Sequence, residues 1–237
     1  MERSLSGRRI VLTGASRGVG LALAREFLKH GASVLGVAKD KARLEGTAAE
    51  LEHIGSGDFS WTAIDLAEAD APTRLAAAAG ERWGALDLLV NNAGVQLSHV
   101  HGFEHEPAGT LEQSMAINLY APYYASLACL PLLRRGHEPR IIQVGSGAGD
   151  FANMSSPGIP SYRLSKWALH GLTMLLAAQL APEIAVNAFD PGWVKTDLGG
   201  PRAPGTVAEA ADGALKLALL PFSVTGKFYK NGSEISF

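Results

Sequence analysis

The chain has 237 residues, 47% hydrophobic and 19% charged, with a formal net charge of -2. That length buries a full core as one domain without disulfide or metal staples. The near-neutral charge, with no run of like charges, argues against nucleic acid and anionic membrane surfaces as partners. The single cysteine, Cys129, stands in an apolar stretch and has no second thiol to pair with. It reads as a small core residue of a protein in a reducing cytoplasm. Residues 1–9 carry no apolar signal core, and no later stretch reaches the about 18 unbroken apolar residues of a membrane span.

Short β-rich apolar runs recur at 9–12, 33–37, 59–64, 86–90, 140–144 and 184–189, separated by alanine- and leucine-rich helical stretches. Continuous apolar strands alternating with helices predict an α/β fold, a doubly wound parallel sheet of about seven strands with helices on both faces. The segment 226–230 runs into the turn-prone Asn231-Gly232, which predicts an edge strand. No internal linker divides the chain, so residues 1–237 are expected to form a single domain.

The first strand empties into Thr13-Gly14-Ala15-Ser16-Arg17-Gly18-Val19-Gly20, where an amphipathic helix begins with Leu21, Leu23, Ala24, Phe27 and Leu28 for its buried side. Glycines at 14, 18 and 20 let the loop turn sharply and the helix approach the sheet, leaving backbone N–H groups and the helix dipole to receive a pyrophosphate. The spacing departs from G-x-G-x-x-G, and a purely structural tight turn is the alternative. At the end of the second strand, a carboxylate would accept from a free ribose 2′-OH and repel a 2′-phosphate. Ala38 stands there, followed by Lys39, and Arg17 lies in the glycine loop. Two cations favour NADP(H) over NAD(H). The rival for an NAD ribose is Asp40, twenty residues beyond Gly20, although one step into the next helix it reads as an N-cap.

His99, His101 and His105 form a cluster after the fourth strand. The H-x-H-x-x-x-H spacing suggests a zinc set, but no cysteine lies nearby, and a solvated or substrate-rim loop is the preferred reading over a metal. The strand 140–144 runs into Gly145-Ser146-Gly147-Ala148-Gly149, placing Ser146 at the carboxyl edge where open α/β sheets bind ligands. Tyr162 and Lys166 stand four apart, so a helix puts both on one face. An ammonium beside a phenol lowers its ordinary value near ~10 and makes it a proton shuttle. By itself, Y-x-x-x-K more often marks a solvated lysine beside a half-buried tyrosine.

In this order Thr13-Gly14 with Gly18 and Gly20, Asn91-Asn92-Ala93-Gly94, Tyr162 with Lys166, and Pro191-Gly192 resemble the short-chain dehydrogenase/reductase family over essentially the whole chain. The resemblance implies a Rossmann-type sheet and a carbonyl-reductase-like enzyme moving hydride between NADP(H) and a ketone or aldehyde. It implies a catalytic tetrad of Asn118, Ser146, Tyr162 and Lys166: Ser146 holds the carbonyl oxygen, Tyr162 exchanges the proton, and Lys166 tunes Tyr162 and bonds the nicotinamide ribose. Asn118 then holds a relay water. For the cofactor it implies Gly14, Ser16, Arg17, Gly18, Val19, Gly20 and Lys39 at the phosphates, and Asp65 and Leu66 at the adenine. Asn92, Ala93 and Gly94 steady the sheet centre and line the adenine-ribose side, and Pro191, Gly192, Val194 and Thr196 hold the nicotinamide amide. An NADP(H)-binding sensor and an epimerase or dehydratase of a longer branch are the competing readings.

The substrate pocket is expected between 95–99, 150–159 and 193–204, with Phe151, Met154, Ile159 and Trp193 as an apolar wall beside Ser146 and Tyr162. The segment 196–206 is short and rich in glycine and proline, which predicts a compact rim rather than a large lid. Helical stretches at 111–133 and 162–180 carry more apolar surface than one sheet face needs, which predicts a homodimer or homotetramer.

Overall fold

The computed structural model describes residues 4–100 and 102–237. β1 (Arg9–Thr13), β2 (Ser33–Ala38), β3 (Phe59–Ala63), β4 (Leu88–Asn91), β5 (Arg140–Val144), β6 (Ala185–Asp190), β7 (Phe228–Lys230) and β8 (Ser233–Ile235) form one sheet in the order β3-β2-β1-β4-β5-β6-β7-β8. The pairs from β3 to β7 are parallel, and β7 and β8 are antiparallel. The helices between them are α1 (Gly18–Lys29), α2 (Lys41–Leu51), α3 (Ala71–Trp83), α4 (Thr110–Met115), α5 (Ala121–Leu133), α6 (Pro160–Leu180) and α7 (Val207–Ala218).

Both faces of the sheet are covered, which explains why its inner strands read as unbroken apolar runs. Side chains alternate along each strand. Ile10 and Leu12 of β1, Leu88 and Val90 of β4, and Ile142 and Val144 of β5 join the layer made with Leu23, Phe27 and Leu28 of α1 and Ala214 and Leu215 of α7. Val11, Leu89 and Ile141 point the other way, into the layer made with Leu75 of α3, Cys129 of α5 and Leu180 of α6. Burial pushes the Cys129 thiol up to about 12, so it is an inert core side chain.

Beyond one-residue shifts at strand ends, two features of the sheet differ from the sequence-based expectation. The run 226–230 does not end the sheet: Asn231 and Gly232 take φ of 51° and 79° and turn the chain into an eighth strand, β8, which becomes the edge. Positive φ at both loop residues matches the right-handed twist of a two-residue hairpin. The fourth strand begins at Leu88 rather than 86, because the Leu86 N–H is taken by the Leu132 carbonyl at 3.0 Å and Asp87 is drawn into an ion pair.

α4 and α5 are one continuous helix, interrupted at Ala116–Tyr120 by a turn of π-helix in which the Ala121 N–H reaches the Ala116 carbonyl. By length and composition the helix Thr110–Leu133 is apolar enough to cross a membrane. Its apolar residues are split: Ala125, Cys129 and Leu133 are buried in the core, while Tyr120, Tyr124 and Leu127 are exposed.

At the amino-terminal edge of the sheet a single carboxylate ties three segments together. Asp87, 3% exposed, accepts from the Arg9 backbone N–H and from Arg9 Nε at 2.8 Å, and from the His137 N–H at 2.7 Å. Removing one partner of such a pair leaves the other donors without an acceptor. Asp87→Ala is expected to lower unfolding free energy by about 2–3 kcal/mol. Urea denaturation followed by circular dichroism measures it, and a midpoint equal to wild type would contradict the role.

Candidate active site

The carboxyl edge of the sheet is shaped by backbone approaching backbone. Gly20 lies so close to the glycine loop that a Cβ there would stand 2.0 Å from the Gly14 carbonyl oxygen. Gly18 takes a φ of +56° and faces Thr196, 3.2 Å from where its Cβ would be. The side chain of Arg17 makes no cap to α1, so the first N–H groups of that helix lack a side-chain cap in the crevice between β1 and β4, where strand order reverses. A narrow, Cβ-free cradle at a helix N-terminus fits a pyrophosphate. Asn92 sews the two strands together, donating from Nδ2 to the Thr13 carbonyl at 2.8 Å, while Thr13 Oγ1 accepts the Asn92 and Ala93 N–H groups at 3.0 Å. Ser16 and Val19 lie in the same loop. Asp65, after β3, accepts the Ala67 N–H at 3.0 Å and turns Leu66 along the same edge.

Beyond β2 the structure adds a residue that the sequence reading missed. Arg17 is ion-paired with Asp197, and Arg43 in the first turn of α2 approaches the same carboxylate at 3.9 Å. Lys39, just after β2 and before the Asp40 cap, is exposed. A carboxylate therefore sits between two guanidinium groups where the sequence predicts an added phosphate. The clue for Arg43 was its position three residues after the Asp40 cap. Asp40 accepts the Arg43 N–H at 3.0 Å and pairs with its guanidinium at 3.2 Å, so this carboxylate is engaged with its own helix.

The four residues of the expected tetrad come from the π turn, α6 and the turn after β5. Asn118, fully buried in the π turn, accepts the Val95 N–H at 2.8 Å and donates to the Val95 carbonyl and Ser165 Oγ at 2.9 Å. Lys166, 4% exposed on α6, donates to the Val144 carbonyl at 2.8 Å. Its Nζ lies 5.8 Å from the Tyr162 ring centroid. Ser146, leaving β5, accepts the Ala148 N–H at 3.1 Å, and its side chain acts to lower the Tyr162 value.

The expectation that Lys166 lowers the Tyr162 value is corrected by this arrangement. Burial dominates, pushing the phenol up to about 12; the Ser146 side chain pulls it down, and the Asp190 charge adds to the rise. Burial brings the Lys166 ammonium down to about 8, opposed by Asp190. The ammonium donates to the Val144 carbonyl rather than to the hydroxyl, and desolvation of the phenol prevails. At neutral pH the pair is a protonated phenol beside a charged ammonium.

The loop after Ser146 is held against α6 by a residue sequence reading passed over. Arg163, next to Tyr162, donates to the carbonyls of Gly158 at 3.0 Å, Asn153 at 3.1 Å and Ala148 at 3.3 Å. Its neighbour Ile159 enters α6 with a φ of 51°, a strained conformation for a β-branched residue, costing about 1–3 kcal/mol. Of the expected apolar wall, Met154 and Ile159 are half-buried in this loop. Phe151 is 72% exposed and leans on Trp167, ring centroids 6.5 Å apart. Trp193 is exposed and donates from Nε1 to the Gly199 carbonyl at 2.7 Å. The rim 193–205 is tied at its base by a bridge between Val194 and Gly205, and Thr196 Oγ1 accepts the Gly199 N–H at 3.1 Å. Gly192 follows Pro191 with a φ of +78°. His99 contacts Gln96 at 3.0 Å and His105 lies 3.5 Å from Glu104, while His101 lies outside the described residues.

The model of a family described as short chain dehydrogenase matches residues 8–205. The chain is 38% identical over 196 residues, 80% of its own length and 73% of the relative's, to the rhamnolipids biosynthesis 3-oxoacyl-[acyl-carrier-protein] reductase of Pseudomonas aeruginosa. Among solved structures, the NADPH-bound carbonyl reductase from chicken fatty liver superposes with a TM-score of 0.88 at 27% identity, covering 98% of this chain and 100% of that one. The Pseudomonas aeruginosa RhlG/NADP active-site complex superposes with a TM-score of 0.84 at 32% identity, covering 96% and 95%.

Gly149 is where the serine loop meets α6: a Cβ there would fall 2.6 Å from the Lys166 carbonyl carbon and 2.7 Å from the Trp167 nitrogen. Gly149→Ala is expected to force the two apart, lowering stability by about 1–3 kcal/mol. Thermal unfolding beside Gly171→Ala, where a Cβ meets nothing within 4 Å, tests this; equal melting temperatures would contradict the close approach.

Proposed function

Because the chain belongs to the short-chain dehydrogenase family and is an oxidoreductase of that family, we propose that it is an NADP(H)-dependent carbonyl reductase interconverting a ketone or aldehyde and an alcohol. The observation that carries this reading is the buried Lys166 ammonium on the same helix face as Tyr162, 5.8 Å from its ring centroid, with Ser146 at the adjoining sheet edge.

Gly14, Ser16, Gly18, Val19 and Gly20 would receive the pyrophosphate, and Asp65, Leu66, Asn92, Ala93 and Gly94 the adenosine side. Arg17, Lys39 and Arg43 would take the 2′-phosphate in place of the Asp197 carboxylate, with charge-assisted bonds. Pro191, Gly192, Val194 and Thr196 would hold the nicotinamide amide. When bound, the reduced cofactor supplies hydride to the carbonyl carbon. Ser146 holds the carbonyl oxygen toward Tyr162, which donates its hydroxyl proton to it. Lys166 stabilises the phenolate so formed, and Asn118 orders the backbone beside the lysine. A phenol that stays protonated to about 12 is already in its acid form, which suits the reductive direction. The basic cluster beyond β2 supports NADP(H) over NAD(H), as do the NADPH and NADP carried by the two superposed relatives.

The exposed Tyr120 of the π turn, Tyr124 and Leu127 on α5 and Leu164, Trp167 and Leu175 on α6 support self-association as a homodimer or homotetramer, since monomers rarely leave so many large apolar side chains in water. The lone buried thiol supports a cytoplasmic setting.

With ketones, aldehydes and diketones, loss of absorbance at the reduced-nicotinamide band is expected with NADPH, with kcat/KM about tenfold or more above NADH. Tyr162→Phe is expected to lower turnover by about 100-fold to 10,000-fold. The reductive kcat should be flat below pH about 8 and fall above it as Lys166 loses its proton. Tight NADPH binding without turnover on any carbonyl would favour a sensor instead. Light scattering at micromolar concentration is expected to report a dimer or tetramer, and a monomer would overturn the assembly.

A further inference from the structure

Asp190 ends β6 with its side chain 4% exposed, between the serine loop of β5 and the penultimate strand β7. Its two oxygens have separate partners. Oδ1 accepts the Gly192 N–H at 2.8 Å, closing the Pro191-Gly192 turn, and Oδ2 accepts Lys230 Nζ at 2.7 Å. Lys230 is paired with Asp190 in the parallel register of β6 and β7, so the sheet itself delivers this cation. On its other side the carboxylate meets the serine loop: a Cβ on Gly147 would stand 3.1 Å from Oδ2. Beneath lies His170, 2% exposed, against Phe228 of β7 and Phe237, with ring centroids 4.4 Å and 5.5 Å away. Its Nε2 faces the Ser146 N–H at 3.5 Å and its Nδ1 faces Asp150 at 3.9 Å.

Resting on the reductase reading, we propose that Asp190, clamped by Lys230, is a positioning residue that holds the Pro191-Gly192 turn against the Ser146 loop, so that β7 sets the spacing between cofactor and proton-transfer groups. The carboxylate touches neither Tyr162 nor Lys166 through a hydrogen bond and acts on them through its charge. The groups that face it are Lys230 on β7, Asp150 in the loop after β5, and Tyr162, Lys166 and His170 on α6. Asp190 favours the charged form of Lys166, against its burial. Loss of that charge, with the turn kept closed, weakens the hold on the ammonium proton. Loss of the oxygen acceptor also opens the turn.

The two effects separate in Asp190→Asn, which keeps an acceptor for the Gly192 N–H, and Asp190→Ala, which does not. NADPH affinity by fluorescence titration is expected to stay within about threefold of wild type for Asn and to weaken about tenfold for Ala. The Asn variant should lose about tenfold in kcat, its alkaline fall moving to lower pH. Lys230→Met should lose kcat similarly, and Lys230→Arg should restore it. Circular dichroism shows that each variant is folded, and the Asn and Arg variants carry the test if Ala and Met are not. Unchanged NADPH affinity in Ala, or an unchanged kcat and pH profile in Asn and Lys230→Met, overturns the positioning role and leaves the reductase reading intact. A wild type that binds NADPH but turns over no carbonyl overturns the reductase reading, while the Ala-against-Asn affinity difference still decides the inference. Absence of NADPH and NADH binding by wild type overturns both.

Discussion

A lysine ammonium held almost out of water, at the carboxyl edge of a parallel sheet, is the constraint on which the rest of this site depends. Desolvating such a charge costs several kcal/mol, and the protein offsets it with the Val144 carbonyl at 2.8 Å and the charge of Asp190. Both partners sit at strand ends, on β5 and β6. The parallel order of the sheet therefore serves packing and chemistry together: it aligns the strand ends on one edge, where the end of β5 bonds the ammonium and the carboxylate at the end of β6 acts on it through its charge. The ammonium stays charged at neutral pH because its value, about 8, still lies above it.

That arrangement requires close approaches that side chains would prevent. The serine loop lies on the backbone of α6 because residue 149 is glycine, and α1 lies on the glycine loop because residue 20 is glycine. Where the chain bends instead of packing, polar side chains hold it: Arg163 gathers the loop from 148 to 158, and Asn118 ties the π turn to Val95. The π turn interrupts α4 and α5 at the residue that reaches the lysine's surroundings, as such turns often do at functional positions. The aromatic and aliphatic side chains on the outer faces of α5 and α6 contribute nothing to this core, and they are available for association.

The alternation of apolar runs made the α/β class legible, because strands covered on both faces must be apolar throughout. The edge was misplaced because a three-residue strand such as β8 carries too few side chains to show a period, and its pairing is decided by the Asn231-Gly232 turn. The sheet-edge position of Ser146 was legible from the strand that precedes it and the shared helix face of Tyr162 and Lys166 from their spacing, whereas Asn118 was singled out by family resemblance alone. The protonation of Tyr162 was not legible, since proximity in a helix says nothing of how deeply the pair is buried. Arg43 was passed over for a similar reason: its relation to Arg17 and Asp197 joins a helix, a glycine loop and a distant rim.

What the sequence determined by itself is what depends on neighbours along the chain: apolar periodicity, the sharp glycine turn, the Asp40 cap, and the four-residue step from Tyr162 to Lys166. Only the tertiary structure decided which charges share low-dielectric space. Lys230 follows Asp190 by forty residues and reaches it through strand register. Desolvation and long-range Coulomb energy depend on that three-dimensional neighbourhood, and no local pattern of residues encodes it.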